Sequence, residues 1–570
     1  MKPLAVLFCG SVAGILFLLV RSAGHVDSPP RAGAELRDDE RIDASVERVN
    51  EWFRRHWERE GVQRAASADD LTVFRRLSLA LHGTIPSLEE VRSFVSDTSD
   101  DRIERWLLKI LQDERFANYF SERLTRMLVG NEEGQFVIYR RDRLGDWLAE
   151  QLRKDRPWSE SVRQLIAGDG LWTESGFANF ITAAFVDGEG LNENKLAGKT
   201  VRSFLGQRID CAQCHDHPFD DWKQSDFEGL AAFYGQARVT PGGVVDRRTE
   251  EGEPIGYEVI DPGSEEGRIV EPRAPFHEEW LIPEGSRREQ LASWIIHPEN
   301  GRFGRAAANR IWGLLFGRAF SEPVDDLRDP GDEEDLLDIL AEEFRAHDHS
   351  LHFLVCVIVQ SDVFRLRSDV PESADDDYES MDANWAVFPL VRLRPEQVIG
   401  SMFQAGNILT IDQNSHVFTR FARFLNENDF LKQYGEIADD ELLRQTGTIP
   451  QALLRMNGRF TRNLTQAELL TSAGQILSFS DADEATIDNS FLTCLTRLPT
   501  WDEQTFFARR LAGGGNRMPG QERADEEPLD NSTDLAGSDS SEGTPEELRK
   551  RAVEDLFWVL FNSPEFSWNH

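Results

Sequence analysis

The sequence predicts a mainly α protein: two helical domains joined by a small strand-containing linker or β-insert. Three observations carry this. Apolar residues recur at three- and four-residue spacing from Arg41 to about Tyr234, and again from Arg287 onward. Residues 236–286, "GGVVDRRTEEGEPIGYEVIDPGSEEGRIVEPRAPF" at their centre, break that period with turn dipeptides and β-branched clusters. At 570 residues the chain is also too long for a single core.

The N-terminus comes first. Lys2 precedes an apolar run from Pro3 to Val20, and Arg21 closes it. The run is long for the apolar part of a signal peptide and at the short limit for a membrane-spanning helix. Residues 1–24 therefore read as a signal peptide or a membrane anchor. Either one exports the chain, so we expect a periplasmic protein, or one anchored to the membrane through this segment and facing the periplasm.

Residues 42–235 form the first expected helical domain. "ERVNEWFRRHW" and "LTVFRRLSLAL" open it, and Ser87 with Glu90 makes a capping-box signature ahead of "SLEEVRSFV". A helix bearing Val201, Phe204, Leu205 and Arg208 on one face should end at Ile209–Asp210. Residues 236–286 are the β-containing linker. Residues 287–565 are the second helical domain, with an acidic loop at 372–382 and a solvated, disordered acidic insert at 513–544.

Hydrophobic residues make up 40% of the chain and include 36 phenylalanines, which is ample for folded cores. The formal charge is -38, with no basic block to offset it. Such a surface repels phosphate backbones, so nucleic-acid binding is excluded as a function class. No Ser-His-Asp pattern, phosphate loop or paired-carboxylate motif points to a hydrolase.

Only five cysteines occur, and two of them share "CAQCHDHPFDDW", Cys211 to Trp222. Cys356 and Cys494 lie in apolar runs, where cysteine acts as a small hydrophobe. In an exported chain a free exposed thiol pair tends to become bonded to something. C-x-x-C-H is the attachment pattern of c-type haem: two thiols one turn apart add to vinyl groups, and the following histidine binds iron. On that reading Cys211 and Cys214 carry the thioethers and His215 is the metal ligand. Two alternatives stay open. Cys211, Cys214 and His215 or His217 could hold zinc or another transition metal, although four ligands within seven residues wrap a tetrahedron poorly. A C-x-x-C disulfide, with no cofactor at all, is the third.

Asp216, His217, Asp220 and Trp222 are candidates to support that site; for Trp222 simple packing is the better reading. Asp220 or Asp221 could instead cap the next helix. The sequence names no distal ligand: Met518 resembles a Met-Pro ligand loop but falls in the acidic insert, and His82, His297 and His416 are remote. The redox partner is likewise unnamed.

Beyond these residues, two long stretches resemble known families. "RRLSLALHGTIPSLEEVRSFV" followed by "SFLGQRIDCAQCHDHPFDDWKQSDFEGLAAFY" is similar to the planctomycete cytochrome-type domain of unknown function 1549. "REQLASWIIHPENGRFGRAAANRIWGLLFGRAFSEPVDDL" and the closing "DLFWVLFNSPEFSWNH" resemble domain of unknown function 1553, its usual partner. Together the resemblances extend over about residues 45 to 565. They imply an exported, mostly helical protein and, through the family name, haem; they imply no particular activity. Within the second motif, Arg310 and Arg318 stand near Glu322, Asp325 and Asp326 in sequence. We expect this motif to pack near the first, with Arg310 or Arg318 facing the space beside His215 and His217. The competing structural reading pairs both arginines with those carboxylates.

Overall fold

The computed structural model describes residues 40–131, 137–218, 221–247, 256–260, 266–328, 334–370, 377–411, 456, 458–480, 482–512 and 544–570. Among the described residues 60% are helical, including 21 α-helices, and the strands form only two-stranded ladders. The mainly α expectation is met.

Local signals act where the sequence placed them. Ser87 Oγ accepts the Glu90 N–H at 3.0 Å, and the Glu90 carboxylate accepts the Ser87 N–H at 3.0 Å, starting the helix Leu88–Ser96. Ser286 and Glu289 make the same box ahead of Arg287–Ile295. Between these helical stretches lie two antiparallel hairpins. Ala237–Thr240 pairs with Gly243–Asp246, and Tyr257–Ile260 with Gly267–Val270. The linker thus contains β-hairpins, as its turn-rich composition implies.

Two expected boundaries move. The helix ahead of the cysteine pair runs from Glu193 to Leu205 and does not continue to Ile209–Asp210. Gly206 terminates it at φ 62°, ψ 44°, the left-handed cap conformation glycine takes at least cost. The acidic stretch 372–382 is also not wholly a loop, because Tyr378–Ala383 forms a short helix that buries Met381. The N-terminal segment, the insert at 513–543, Met518, His416 and Asp220 lie outside the described residues.

The apolar cores divide the chain elsewhere than at the linker. Val49, Phe53, Leu77 and Phe204 belong to the same cluster as Trp312, Phe316, Val357 and Phe364, so both helical stretches share one core. Phe53 stacks on Trp312 with ring centroids 5.9 Å apart. A second core gathers Leu393 to Phe566 and recruits Leu79, Ile85 and Leu88 from the first stretch. The helix Asp70–His82 lies between the two. Its buried Arg76 donates to the Phe364 and Leu366 carbonyls at 2.9 and 2.7 Å, on the first-core side. Its neighbour Arg75 donates to the Cys494 carbonyl at 3.3 Å, on the other. Adjacent residues on one helix therefore stitch two cores together. The closing segment is held as well, with Trp568–Asn569 pairing antiparallel to Val391–Arg392.

Candidate functional site

The helix Glu193–Leu205 buries Val201, Phe204 and Leu205 in the first core. After Gly206 the chain runs on to a single 3₁₀ turn, Asp210–Gln213, with Cys214 closing it through an N–H bond to the Cys211 carbonyl. Ile209 and Ala212 are fully buried beneath the turn. Cys211, Cys214 and His215 face solvent, and both thiols are free. Apolar anchors at 209 and 212 with reactive groups at 211, 214 and 215 give the turn a buried underside and a chemical outer face.

His215 Nδ1 lies 2.7 Å from the Asp216 carbonyl oxygen. A carbonyl only accepts, so Nδ1 carries the proton in the neutral ring and Nε2 holds the lone pair. That is the tautomer a metal ligand needs, with the backbone fixing it. The Asp216 carboxylate accepts the Gln224 N–H at 3.0 Å, at the start of the helix Gln224–Ala232. Asp216, more than Asp221, serves that helix start, where a negative charge is favourable. The His217 N–H donates to the Trp222 carbonyl at 2.7 Å, which folds the loop back on itself. Trp222 is half-buried and packs edge-on against Phe276, with centroids 6.5 Å apart, before the helix rather than on its core face. Phe227 is the residue of that helix buried in the core.

The second motif does reach the first, by a route the sequence did not show. Asp325 Oδ1 accepts from Arg208 Nε and a terminal nitrogen at 2.9 and 2.7 Å. Asp326 Oδ1 accepts the Arg208 backbone N–H at 3.1 Å. The Leu327 N–H donates to the Gly206 carbonyl at 2.7 Å, and Gln207 Nε2 donates to the Leu327 carbonyl. Arg202 joins the same group, 2.5 Å from Asp210 and 3.6 Å from Asp325.

The two expected arginines sit elsewhere. Arg310 is buried and donates to the Ser203 carbonyl at 3.0 Å, inside the helix that precedes the motif. Arg318 holds Asp382 through Oδ2 at 2.7 Å and its carbonyl at 2.8 Å, and stacks over Trp385 at 4.2 Å. Neither contact is to Asp216 or His217, and neither is to Glu322, Asp325 or Asp326. Both sequence readings of Arg318 are corrected: its carboxylate partner lies in the short helix Tyr378–Ala383. The residues that sequence reasoning missed are Gln207 and the Arg208–Asp325 pair. A lone glutamine between a cap and a motif carries no pattern of its own.

Among the described residues no group of three or more His, Cys, Asp or Glu is placed to hold a metal ion. The donor set does fit covalent haem attachment: two solvent-facing thiols in one turn and an imidazole with Nε2 as its basic nitrogen.

Residues 48–239 match the family model of a protein of unknown function, DUF1549 (PSCyt2). Residues 287–436 match that of a second, DUF1553 (PSD1), in the expected order. The chain thus carries one region similar to each family. The DUF1549 match encloses the Cys211–Trp222 loop, and the DUF1553 match encloses Asn309 to Leu327. The second match ends at 436, short of the closing helix to which the resemblance extended. No curated protein and no solved structure matches the chain.

Proposed function

We propose that this DUF1549–DUF1553 protein is an exported protein of the cell envelope that carries haem on Cys211 and Cys214, with His215 as an iron ligand. Its role on this reading is electron transfer or an oxidative reaction. The observation that carries the proposal is the exposure of both free thiols and His215 on a turn anchored from beneath by the buried Ala212. A loop kept only for packing would place its cysteines inward, as Cys356 and Cys494 are placed. Bound haem would supply one-electron chemistry, tuned by its axial ligands and by burial. The chain's own contribution is to present two thiols together and to hold His215 in the Nε2-basic tautomer. Export rests on Lys2, the apolar run to Val20 and Arg21.

The test is expression of the full chain with its N-terminal segment, alongside a haem-attachment system. The expected result is a Soret band, haem staining that survives denaturing electrophoresis, and a haem adduct in the intact mass. Loss of the adduct in Cys211→Ser and Cys214→Ser places it. An intact mass two hydrogens short, with no adduct, assigns a disulfide instead and overturns the proposal.

A further inference from the structure

An unbroken line of hydrogen bonds runs from the DUF1553 region into the cysteine loop. The Leu327 carbonyl accepts from Gln207 Nε2; Gln207 Oε1 accepts from Trp222 Nε1 at 3.4 Å; the Trp222 carbonyl accepts from the His217 N–H at 2.7 Å. Leu327 is itself pinned, its N–H donating to the Gly206 carbonyl at 2.7 Å, while the preceding Asp325 and Asp326 grip Arg208. We propose that the Asp325–Leu327 segment, acting through Gln207 and Trp222, is the positioning element of the Cys211–His217 loop, so that the second family sets the geometry of the first family's site.

The side chain at 207 has to be glutamine for this. Its amide donates at one end and accepts at the other, and it is 5% exposed, so water does not readily replace either bond. A glutamate there would keep an acceptor for Trp222 but set a carboxylate oxygen against the Leu327 carbonyl. Trp222 likewise serves at both ends, its ring donating to Gln207 and its carbonyl holding His217. The outer face of the loop, Cys211 and Gln213 to Asp216, lies in solvent, so its position depends on what holds its underside. Gln207 and Trp222 touch no reacting group. Their effect on chemistry is transmitted through the position of the turn.

This inference rests on the reading of the loop as the functional site, yet its test does not need haem. The full chain, produced without haem-attachment machinery, is compared with Gln207→Glu and Trp222→Phe. Hydrogen exchange is followed by mass spectrometry in the peptide containing His217, and alkylation rates are compared between Cys211 and Cys214. Each variant should speed exchange at His217 about tenfold and change the ratio of the two thiol rates, while distant core peptides keep their protection. The double variant should add little, because both changes cut one line. Asp326→Ala should act in the same direction from the far end, and Asp326→Asn, which keeps an acceptor for the Arg208 N–H, should behave as wild type. A variant that speeds exchange everywhere has a general folding defect, and the Asp326 pair then decides. Unchanged exchange at His217 in Trp222→Phe and Asp326→Ala overturns the proposal. Local exchange effects in a protein that never takes up haem leave the positioning role standing and sink the haem reading. Haem uptake with unchanged local exchange does the reverse.

Discussion

Arg208 and Asp325, 117 residues apart in the chain, meet at 2.7 Å at the place where the two family regions join. Asp325 is largely buried, whereas Arg208 keeps about a third of its side chain in water. Arg202 lies on the other side of the same carboxylate. The pair closes the gap between the end of the helix Glu193–Leu205 and the segment after Phe316. Its physical role is to neutralise a buried carboxylate that would otherwise be costly to desolvate.

Asp325→Ala should therefore destabilise the fold by about 1–3 kcal/mol, less than a fully buried pair because Arg208 can turn to water. Asp325→Asn should lose less, since its side-chain oxygen still accepts from Arg208. Urea denaturation followed by tryptophan fluorescence measures both. An Asp325→Ala midpoint equal to wild type would mean that the pair contributes nothing net.

Thiol chemistry should divide the described cysteines cleanly. Burial pushes the Cys356 thiol up to about 12, and the Cys494 thiol higher still, so neither forms the reactive thiolate in the native fold. Cys211 and Cys214 are exposed. Iodoacetamide added to the native protein without haem should label Cys211 and Cys214 and spare Cys356 and Cys494, as peptide mass spectrometry reads directly. In urea all four should react.

Much of this was legible in the sequence. Ser87 and Glu90 announced a helix start because capping is local chemistry, fixed by residues three apart. Cys356 and Cys494 read as buried because their neighbours are apolar. The helix end was misplaced because apolar spacing at Val201, Phe204 and Leu205 carries on to Arg208, and a lone glycine at 206 does not reveal its sign of φ. The partners of Arg318 and Arg208 were not legible at all. For Arg318 the carboxylates close in sequence were the natural guess, but tertiary packing brings it Asp382, and it brings Asp325 to Arg208. The shared core was hidden for the same reason: Phe53 and Trp312 each look like ordinary core residues of separate domains.

Stability should fall on mild acidification, and His82 is one cause. It closes the helix Asp70–His82 and is buried, and that burial, reinforced by Arg115, pulls its pKa down to about 4. In the unfolded chain it titrates near 6.5, so between these values the unfolded state binds the proton that the folded state refuses. The stability tied to neutral His82 is thus complete above about pH 6.5 and is lost as pH falls toward 4. The gap corresponds to about 3 kcal/mol at full extent. His570, also lowered to about 4, adds to the same window. His82→Gln should flatten the Tm profile between pH 6.5 and 4, lowering the neutral-pH Tm but narrowing its drop on acidification. Parallel profiles for the two proteins would exclude His82 as a contributor.

Gly206→Ala tests the joint between fold and site most directly. At φ 62° an alanine accepts a left-handed conformation at about 1–2 kcal/mol. Its Cβ would also lie 3.1 Å from Leu327 side-chain atoms and 3.3 Å from Ala306 Cβ. Leu327 cannot withdraw freely, because its N–H is bonded to the Gly206 carbonyl and its carbonyl to Gln207. The strain should therefore pass along the Gln207–Trp222 line, as well as lowering global stability. The expected outcome is a loss of about 2 kcal/mol or more, together with faster exchange at His217 and an altered ratio of Cys211 to Cys214 alkylation. Gly317→Ala supplies the control: it is another left-handed cap, at φ 75°, and its Cβ would meet Val391 rather than any part of the loop. It should show the stability loss without the change at His217. Equal effects of the two variants on the loop would mean that Gly206 matters only for folding.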